Sequence, residues 1–255
     1  MKKTLALIQA RMSSTRFPGK VLQPLLNDVP LIVFMAQRVR QAACISDLVI
    51  ATSDDPSDDP LENILRIHGL RCFRGSLNDV LDRFYQAAKS AASEYVVRLT
   101  GDCPLIDPQL IDQVLAALKQ HAADYASNID PPTFPDGLDV ECFSFAALER
   151  AWREAQLPSE REHVTPFIRQ RKDLFRGVNV SAVADFSQLR WTVDYPDDLQ
   201  LVHELLRCAG ARHPTDCDRF DFLRIIETNP NLREFNKHVR NEGYIKSLMA
   251  EQKGA

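Results

Sequence analysis

Short apolar runs rich in β-branched residues alternate with amphipathic helical stretches along this chain, and that alternation limits its fold more than any other feature. The runs occupy residues 5–8, 48–51, 95–99, 140–143 and 191–193. Between them, residues 31–43 place Leu31, Phe34, Met35 and Val39 at helical spacing. Residues 80–91 do the same with Val80, Phe84 and Ala87, and residues 110–118 repeat the pattern. Strands separated by helices predict parallel strands joined by crossovers, which is an α/β fold with a mostly parallel central sheet flanked by helices. Pro30, Pro60 and Pro108 stand at or near three predicted helix starts, where a missing N–H costs nothing. A length of 255 residues suits one domain of this kind.

The first run, residues 4–10, delivers a loop reading Gln-Ala-Arg-Met-Ser-Ser-Thr-Arg-Phe-Pro-Gly-Lys over residues 9–20. It gathers Arg11, Arg16 and Lys20 among small hydroxyl residues that include Ser13. Such a set suits a polyphosphate, because each phosphate oxygen can take a charge-assisted hydrogen bond. The loop is not a Walker A sequence, since Val21 follows the lysine where Ser or Thr is required. The chain contains no Gly-x-Gly, so a dinucleotide fingerprint has no support.

A net charge of −4 argues against a general nucleic-acid binder, which carries a basic stripe over a whole face. The chain lacks the run of about 18 apolar residues that a membrane span requires. Its first residues run straight into a strand-like segment without a cleavage signal, which predicts a cytoplasmic protein with no membrane partner. The six cysteines form no Cys-x-x-Cys pair and none stands at zinc-ligand spacing to a histidine, so they read as reduced, mostly buried thiols.

Two acidic motifs give the cationic loop something to work with. Thr-Gly-Asp-Cys-Pro over residues 100–104 ends a predicted strand and leaves Asp102 at the carboxyl edge of the sheet. Trp-Thr-Val-Asp-Tyr-Pro-Asp-Asp over residues 191–198 repeats the design, with Asp194 ending a strand and Pro196 opening a helix. Two carboxylates facing a triphosphate-sized cradle suit Mg2+, which takes one or two carboxylates plus phosphate oxygens and water. Asp107 and Asp197 read instead as helix N-caps. The proline-rich stretch at residues 128–139 interrupts the alternation and reads as an inserted loop over the active edge. The last fifty or so residues read as helices that fray over residues 251–255.

Taken together, the loop at 9–20, Phe-Arg-Gly-Ser at 73–76 with Asp79 and Arg83, Leu-Thr-Gly-Asp-Cys-Pro-Leu-Ile at 99–106 and the motif at 191–198 resemble the cytidylyltransferases that activate acylneuraminates and Kdo. Pro-Asp-Gly-Leu-Asp-Val-Glu at 135–141 and Arg-Glu-His-Val-Thr-Pro at 161–166 also resemble the spore-coat polysaccharide protein F branch. The resemblance implies a single Rossmann-like (GT-A-like) nucleotidyltransferase domain. Residues 1–128 would mainly bind CTP, residues 129–190 would bind the acceptor and form a homodimer, and residues 191–255 would carry the metal-site strand and terminal helices. It implies transfer of CMP from CTP to a sugar-acid type acceptor, with release of pyrophosphate, for surface polysaccharide or glycoconjugate synthesis.

In that scheme Arg11, Lys20, Asp102 and Asp194 carry catalysis, and Asp102 and Asp194 hold Mg2+. Ala10, Ser13, Arg16, Arg74, Ser76, Asp79 and Arg98 complete the CTP site, with Arg74, Ser76 and Asp79 reading cytosine. Asp79 can equally be the acid at a helix start, and Arg74 a surface residue. The acceptor side comprises Asp139, Glu141, Arg161, Glu162, His163 and Arg190, a mixed-charge set that suits a hydroxylated acceptor with an acidic or amino group. A nonulosonic acid is the first expectation for the acceptor, and another phosphorylated or phosphonate acceptor is the alternative. His163 can serve as a base or as a structural residue. The rival function is a GT-A glycosyltransferase using a nucleotide sugar; it wants Asp-x-Asp where this chain has Thr100-Gly101-Asp102.

Overall fold

The computed structural model describes residues 3–235, 238–240 and 242–254. Its strands are β1 (Thr4–Gln9), β2 (Asp47–Ser53), β3 (Arg71–Gly75), β4 (Tyr95–Thr100), β5 (Tyr125–Ser127), β6 (Glu141–Ser144) and β7 (Gly177–Asn179). Its α-helices are α1 (Leu31–Val39), α2 (Asp59–Ile67), α3 (Val80–Ser90), α4 (Pro108–Gln120), α5 (Phe145–Glu154), α6 (Pro158–His163), α7 (Pro166–Gln170), α8 (Pro196–Cys208), α9 (Arg219–Thr228) and α10 (Glu242–Gly254). The strands form one sheet in the order β3-β2-β1-β4-β6-β5-β7. All neighbouring pairs run parallel except those of β6, which is antiparallel to both β4 and β5.

Strand β1 sits at the centre, and its continuous apolar run follows from burial on both faces. Ala6 and Ile8 enter a core shared with α1, α4, α8 and α9, whereas Leu5 and Leu7 enter one shared with α3, α5 and α7. The stretch at 128–139 connects β5 to β6 of the same sheet, and Ile129, Asp136 and Asp139 from it border the cleft described below. Asn128 fixes it from inside: its side chain donates to Leu138 O and accepts from Val140 N, both at 2.8 Å. Gly137 lies at φ 103°, and a Cβ there would stand 2.7 Å from Thr192 N, so only glycine lets this loop pack against residues 191–192.

Three sequence expectations change. Residues 191–193 form no strand. They run extended, with Trp191 N donating to Asp136 O and Val193 N to Asp102 O, and the only ladder contact here is the isolated bridge between Asp136 and Arg190. Asp197 does not cap α8; the flanking residue is Tyr195, and Asp198 accepts from the Asp194 and Tyr195 amides. The terminal segment expected to fray is helical through Gly254, while Ala255 lies outside the described residues. Asp107 does cap α4, accepting from Gln109 N and Leu110 N. Cys103, Cys142 and Cys217 are buried, Cys44 and Cys72 half-buried, and Cys208 exposed, all as free thiols.

Candidate active site

Parallel strands β1 and β4 deliver their carboxyl ends to a cleft of about 360 Å3, and the loops that follow them line it. Asp58 anchors the first loop. Its buried carboxylate accepts from Met12 N at 2.6 Å and from Thr52 Oγ1 and Ser53 N at 2.8 and 3.0 Å, tying the loop to the end of β2. No sequence pattern marked this residue.

Lys20 is buried, and its ammonium lies 2.9 Å from Asp102 and 2.8 Å from Asp194. Burial alone would lower the Lys20 pKa, but the two carboxylates reverse this and raise it. Asp102 is held well below the ordinary carboxylate range: Lys20 and the Thr100 hydroxyl outweigh the burial that opposes them. Arg16 also pairs with Asp194 and reaches Glu242 of α10 at 2.8 Å. Arg190 completes the cluster, at 2.6 Å from Asp136 and 2.7 Å from Asp194. Two carboxylates from separate loops thus converge on one cationic centre. Both offer hard oxygen donors, and Lys20 already occupies a position between them as a monovalent cation, so the pair fits a divalent ion such as Mg2+.

The adjoining wall carries most of the expected acceptor residues. Glu141 at the start of β6 pairs with Arg98 of β4 and accepts from Tyr125 Oη and Thr165 Oγ1, each at 2.6 Å. Its burial would raise the carboxyl pKa, but Arg98, Arg169 and these hydroxyls bring it below the usual value. Arg98, expected to serve CTP, therefore points its charge at an acceptor-side acid. Asp139 pairs with Arg240, and burial together with neighbouring acids raises its pKa to about 7. His163 lies 3.0 Å from Ser247 Oγ and stacks edgewise on Tyr244, and burial lowers its pKa to about 4. Val164 at φ 69°, ψ −56° forms a strained γ-turn closed by Thr165 N to His163 O, which turns both flanking side chains into the cleft.

Of the expected site residues, Ala10, Arg11, Arg16, Lys20, Arg98, Asp102, Asp139, Glu141, Glu162, His163, Arg190 and Asp194 line this cleft, and Ser13, Arg74, Ser76, Asp79 and Arg161 do not. Ser13 is exposed on the loop. Arg74 is engaged elsewhere, by Ser53 O, Asp55 O, Asp59 and Glu62. Asp79 caps α3 through Asp82 N and pairs with Arg161, while the Ser76 hydroxyl accepts from Asp79 N. Sequence reasoning missed the contribution of α10, whose Glu242, Tyr244 and Lys246 form one wall. It also missed Arg169, Asp136 and Thr165; Asp136 and Thr165 sit inside motifs already singled out, at 135–141 and 161–166.

Residues 5–207 match the family model described as cytidylyltransferase. The spore coat polysaccharide biosynthesis protein SpsF of Bacillus subtilis is 36% identical over 91% of this chain and 97% of its own. A 3-deoxy-manno-octulosonate cytidylyltransferase of Desulfosudis oleivorans is 38% identical over 46% of this chain and 47% of its own. Among solved structures, a cytidylyltransferase from Leptospira borgpetersenii superposes with a TM-score of 0.86 at 32% identity, covering 94% of this chain and 99% of that one. A CMP:2-keto-3-deoxy-manno-octonic acid synthetase solved with CTP gives a TM-score of 0.63 at 19% identity, over 81% of this chain and 99% of that one, which shows a shared fold. The α/β sheet, the cationic loop and the match over most of its length lead to one statement of kinship: the chain belongs to the cytidylyltransferase family and is a CTP-dependent nucleotidyltransferase.

Proposed function

We propose that this enzyme transfers CMP from CTP to a sugar-acid acceptor such as a nonulosonic acid, releasing pyrophosphate, in the synthesis of a surface polysaccharide or glycoconjugate. The carrying observation is the convergence of Asp102 and Asp194 on the Lys20 ammonium at 2.9 and 2.8 Å, between a cationic loop and a wall of mixed charge. Transfer of a nucleotidyl group needs positioning and charge neutralisation more than covalent help from protein. Arg11 and Lys20 would bind the β- and γ-phosphates and stabilise the departing pyrophosphate, with Arg16 assisting. Asp102 and Asp194 would hold Mg2+, which supplies Lewis-acid stabilisation of charge at the α-phosphate.

On the acceptor side, Arg190, Glu141 and Glu162 offer donors and acceptors for a hydroxylated, charged sugar. Asp139, with its pKa near 7, has the proton affinity of a general base at neutral pH, whereas His163 is too weak a base for that part. The names of SpsF and of the octulosonate enzymes support a polysaccharide setting and a sugar-acid acceptor.

The test is acceptor-dependent pyrophosphate release from CTP with Mg2+, over a panel of Kdo, N-acetylneuraminate and related nonulosonic acids. The proposal expects release with at least one of these acids and its loss in Asp102→Ala and Asp194→Ala. Wild-type rates in either variant would remove the metal assignment.

A further inference from the structure

Asp194 ends an extended segment whose only ladder contact among the described residues is the isolated bridge at Arg190. A carboxylate that holds a metal works only when it is kept within about 0.5 Å of its productive place. No sheet does that for Asp194, so its support has to come from side chains. The alternation of an extended chain puts Arg190, Thr192 and Asp194 on one side, and all three line the cleft, while Trp191 and Val193 enter the core.

Arg190 reaches Asp194, four residues on. Its Nη2 donates to Asp194 Oδ2 at 2.7 Å and to Asp198 Oδ2 at 3.4 Å, and its Nη1 donates to Asp136 Oδ2 at 2.6 Å. Arg190 and all three acids are buried. A planar fork pinned at one end by Asp136 fixes the direction from which its other end meets Asp194. Asp198 holds the backbone at the same place, accepting from Asp194 N and Tyr195 N at 2.8 and 2.9 Å. The two oxygens of Asp194 are thereby divided. Arg190 retains Oδ2, and Oδ1 faces Arg16 and the Lys20 ammonium, the latter at 2.8 Å. Asp102 is tied to the same segment, its carbonyl accepting from Val193 N at 2.7 Å and from Thr192 Oγ1 at 3.2 Å.

Resting on the Mg2+ and CTP reading above, we propose that Arg190 is a positioning residue for the metal site: braced by Asp136, it holds Asp194 Oδ2 so that Oδ1 stays aimed, with Asp102, at the place the Lys20 ammonium fills. This task goes beyond the acceptor contact set out above, and the two act at different stages. A group that only meets the acceptor leaves the binding of CTP with Mg2+ alone. A group that orients Asp194 affects that binding before any acceptor arrives. Lysine at this position keeps the positive charge among the three acids but offers a point charge in place of a fork, so it does not hold Asp136 and Asp194 in a fixed relation.

The experiment is titration calorimetry of the full chain with CTP over a series of Mg2+ concentrations, without acceptor, for wild type, Arg190→Lys and Asp136→Asn, with thermal unfolding of each. For Arg190→Lys the expected result is a rise of about 10- to 100-fold in the Mg2+ concentration that half-saturates the effect on CTP binding, the size for loss of the hydrogen-bonded support of a metal ligand, with CTP affinity in the absence of Mg2+ unchanged. Asp136→Asn loosens the brace and leaves the pair of Arg190 with Asp194, so it shifts the same concentration in the same direction by a smaller factor, and it decides the matter if Arg190→Lys does not fold. An unchanged Mg2+ dependence in the folded variants overturns the proposal and leaves Arg190 to the acceptor alone. Equal weakening with and without Mg2+ also overturns it, since the whole nucleotide site is then damaged. Wild-type CTP binding that ignores Mg2+ removes the metal reading and this inference together.

Discussion

At the scale of single residues, the site is an exchange of partners for buried charge. Lys20 rests between Asp102 and Asp194, and its ammonium is kept protonated by them. Replacing it by alanine leaves two carboxylates close together with less compensation and, on the proposed reading, removes a donor for the pyrophosphate. We expect Lys20→Ala to lower kcat/KM for CTP by about 2–4 kcal/mol of transition-state stabilisation in steady-state assays, the usual size for one electrostatic contact; a smaller loss would place Lys20 outside the phosphate site. His163 carries a pH signature. Its folded pKa near 4 lies below the unfolded value of about 6.5, so the unfolded chain takes up the proton first. Its contribution to stability is complete above pH 6.5 and is lost as pH falls toward 4. His163→Gln should flatten that part of the stability curve measured by urea unfolding, and an unaltered slope would contradict the burial argument.

At the scale of elements, α10 supplies one wall of the cleft. Glu242 holds Arg16, accepts from Tyr195 Oη at 3.0 Å and pairs with Lys246 at 2.6 Å, and these partners bring its pKa down to about 2. Tyr244 lies under the Arg169 guanidinium at 4.8 Å and beside His163. If Arg16 binds a phosphate as proposed, Glu242 would compete with the nucleotide for it. Glu242→Gln should lower KM for CTP by about two- to fivefold, the range for a pair open to solvent, with kcat little changed. A raised KM would show that Glu242 orients Arg16 for the phosphates instead of withholding it.

For the molecule as a whole, the parallel half was legible in the sequence because β1 and β2 carry continuous apolar runs buried on both faces and β4 is apolar through Val97 with Leu99 buried beyond Arg98. Strand β3 was hidden, since Arg71-Cys-Phe-Arg-Gly is a half-exposed edge with no apolar run, and β5 and β7 have three residues each. Residues 191–193 misled because Trp191 and Val193 are buried by core packing without a strand partner. Within the site, local motifs carried the loop at 9–20 and both aspartates. The ties of Asp58 and the wall from α10 depend on folding that brings together residues 46 and 226 positions apart, which no local pattern records. The homodimer expected through residues 131–143 is a proposal of its own. Phe134, Leu138 and Val140 of that segment are buried within the chain itself, so the expected interface would have to use its exposed positions, such as Pro131. Light scattering at micromolar concentrations should give twice the chain mass, and a monomer would remove that proposal.

The measurement that bears most directly on the central claim is calorimetric titration of the protein with each of the four nucleoside triphosphates, with and without Mg2+. The account predicts that CTP binds far more tightly than UTP, ATP or GTP, that Mg2+ strengthens its binding, and that the dependence on Mg2+ disappears in Asp194→Ala. CTP binding that is indifferent to Mg2+ in wild type, or no preference among the four nucleotides, would contradict it.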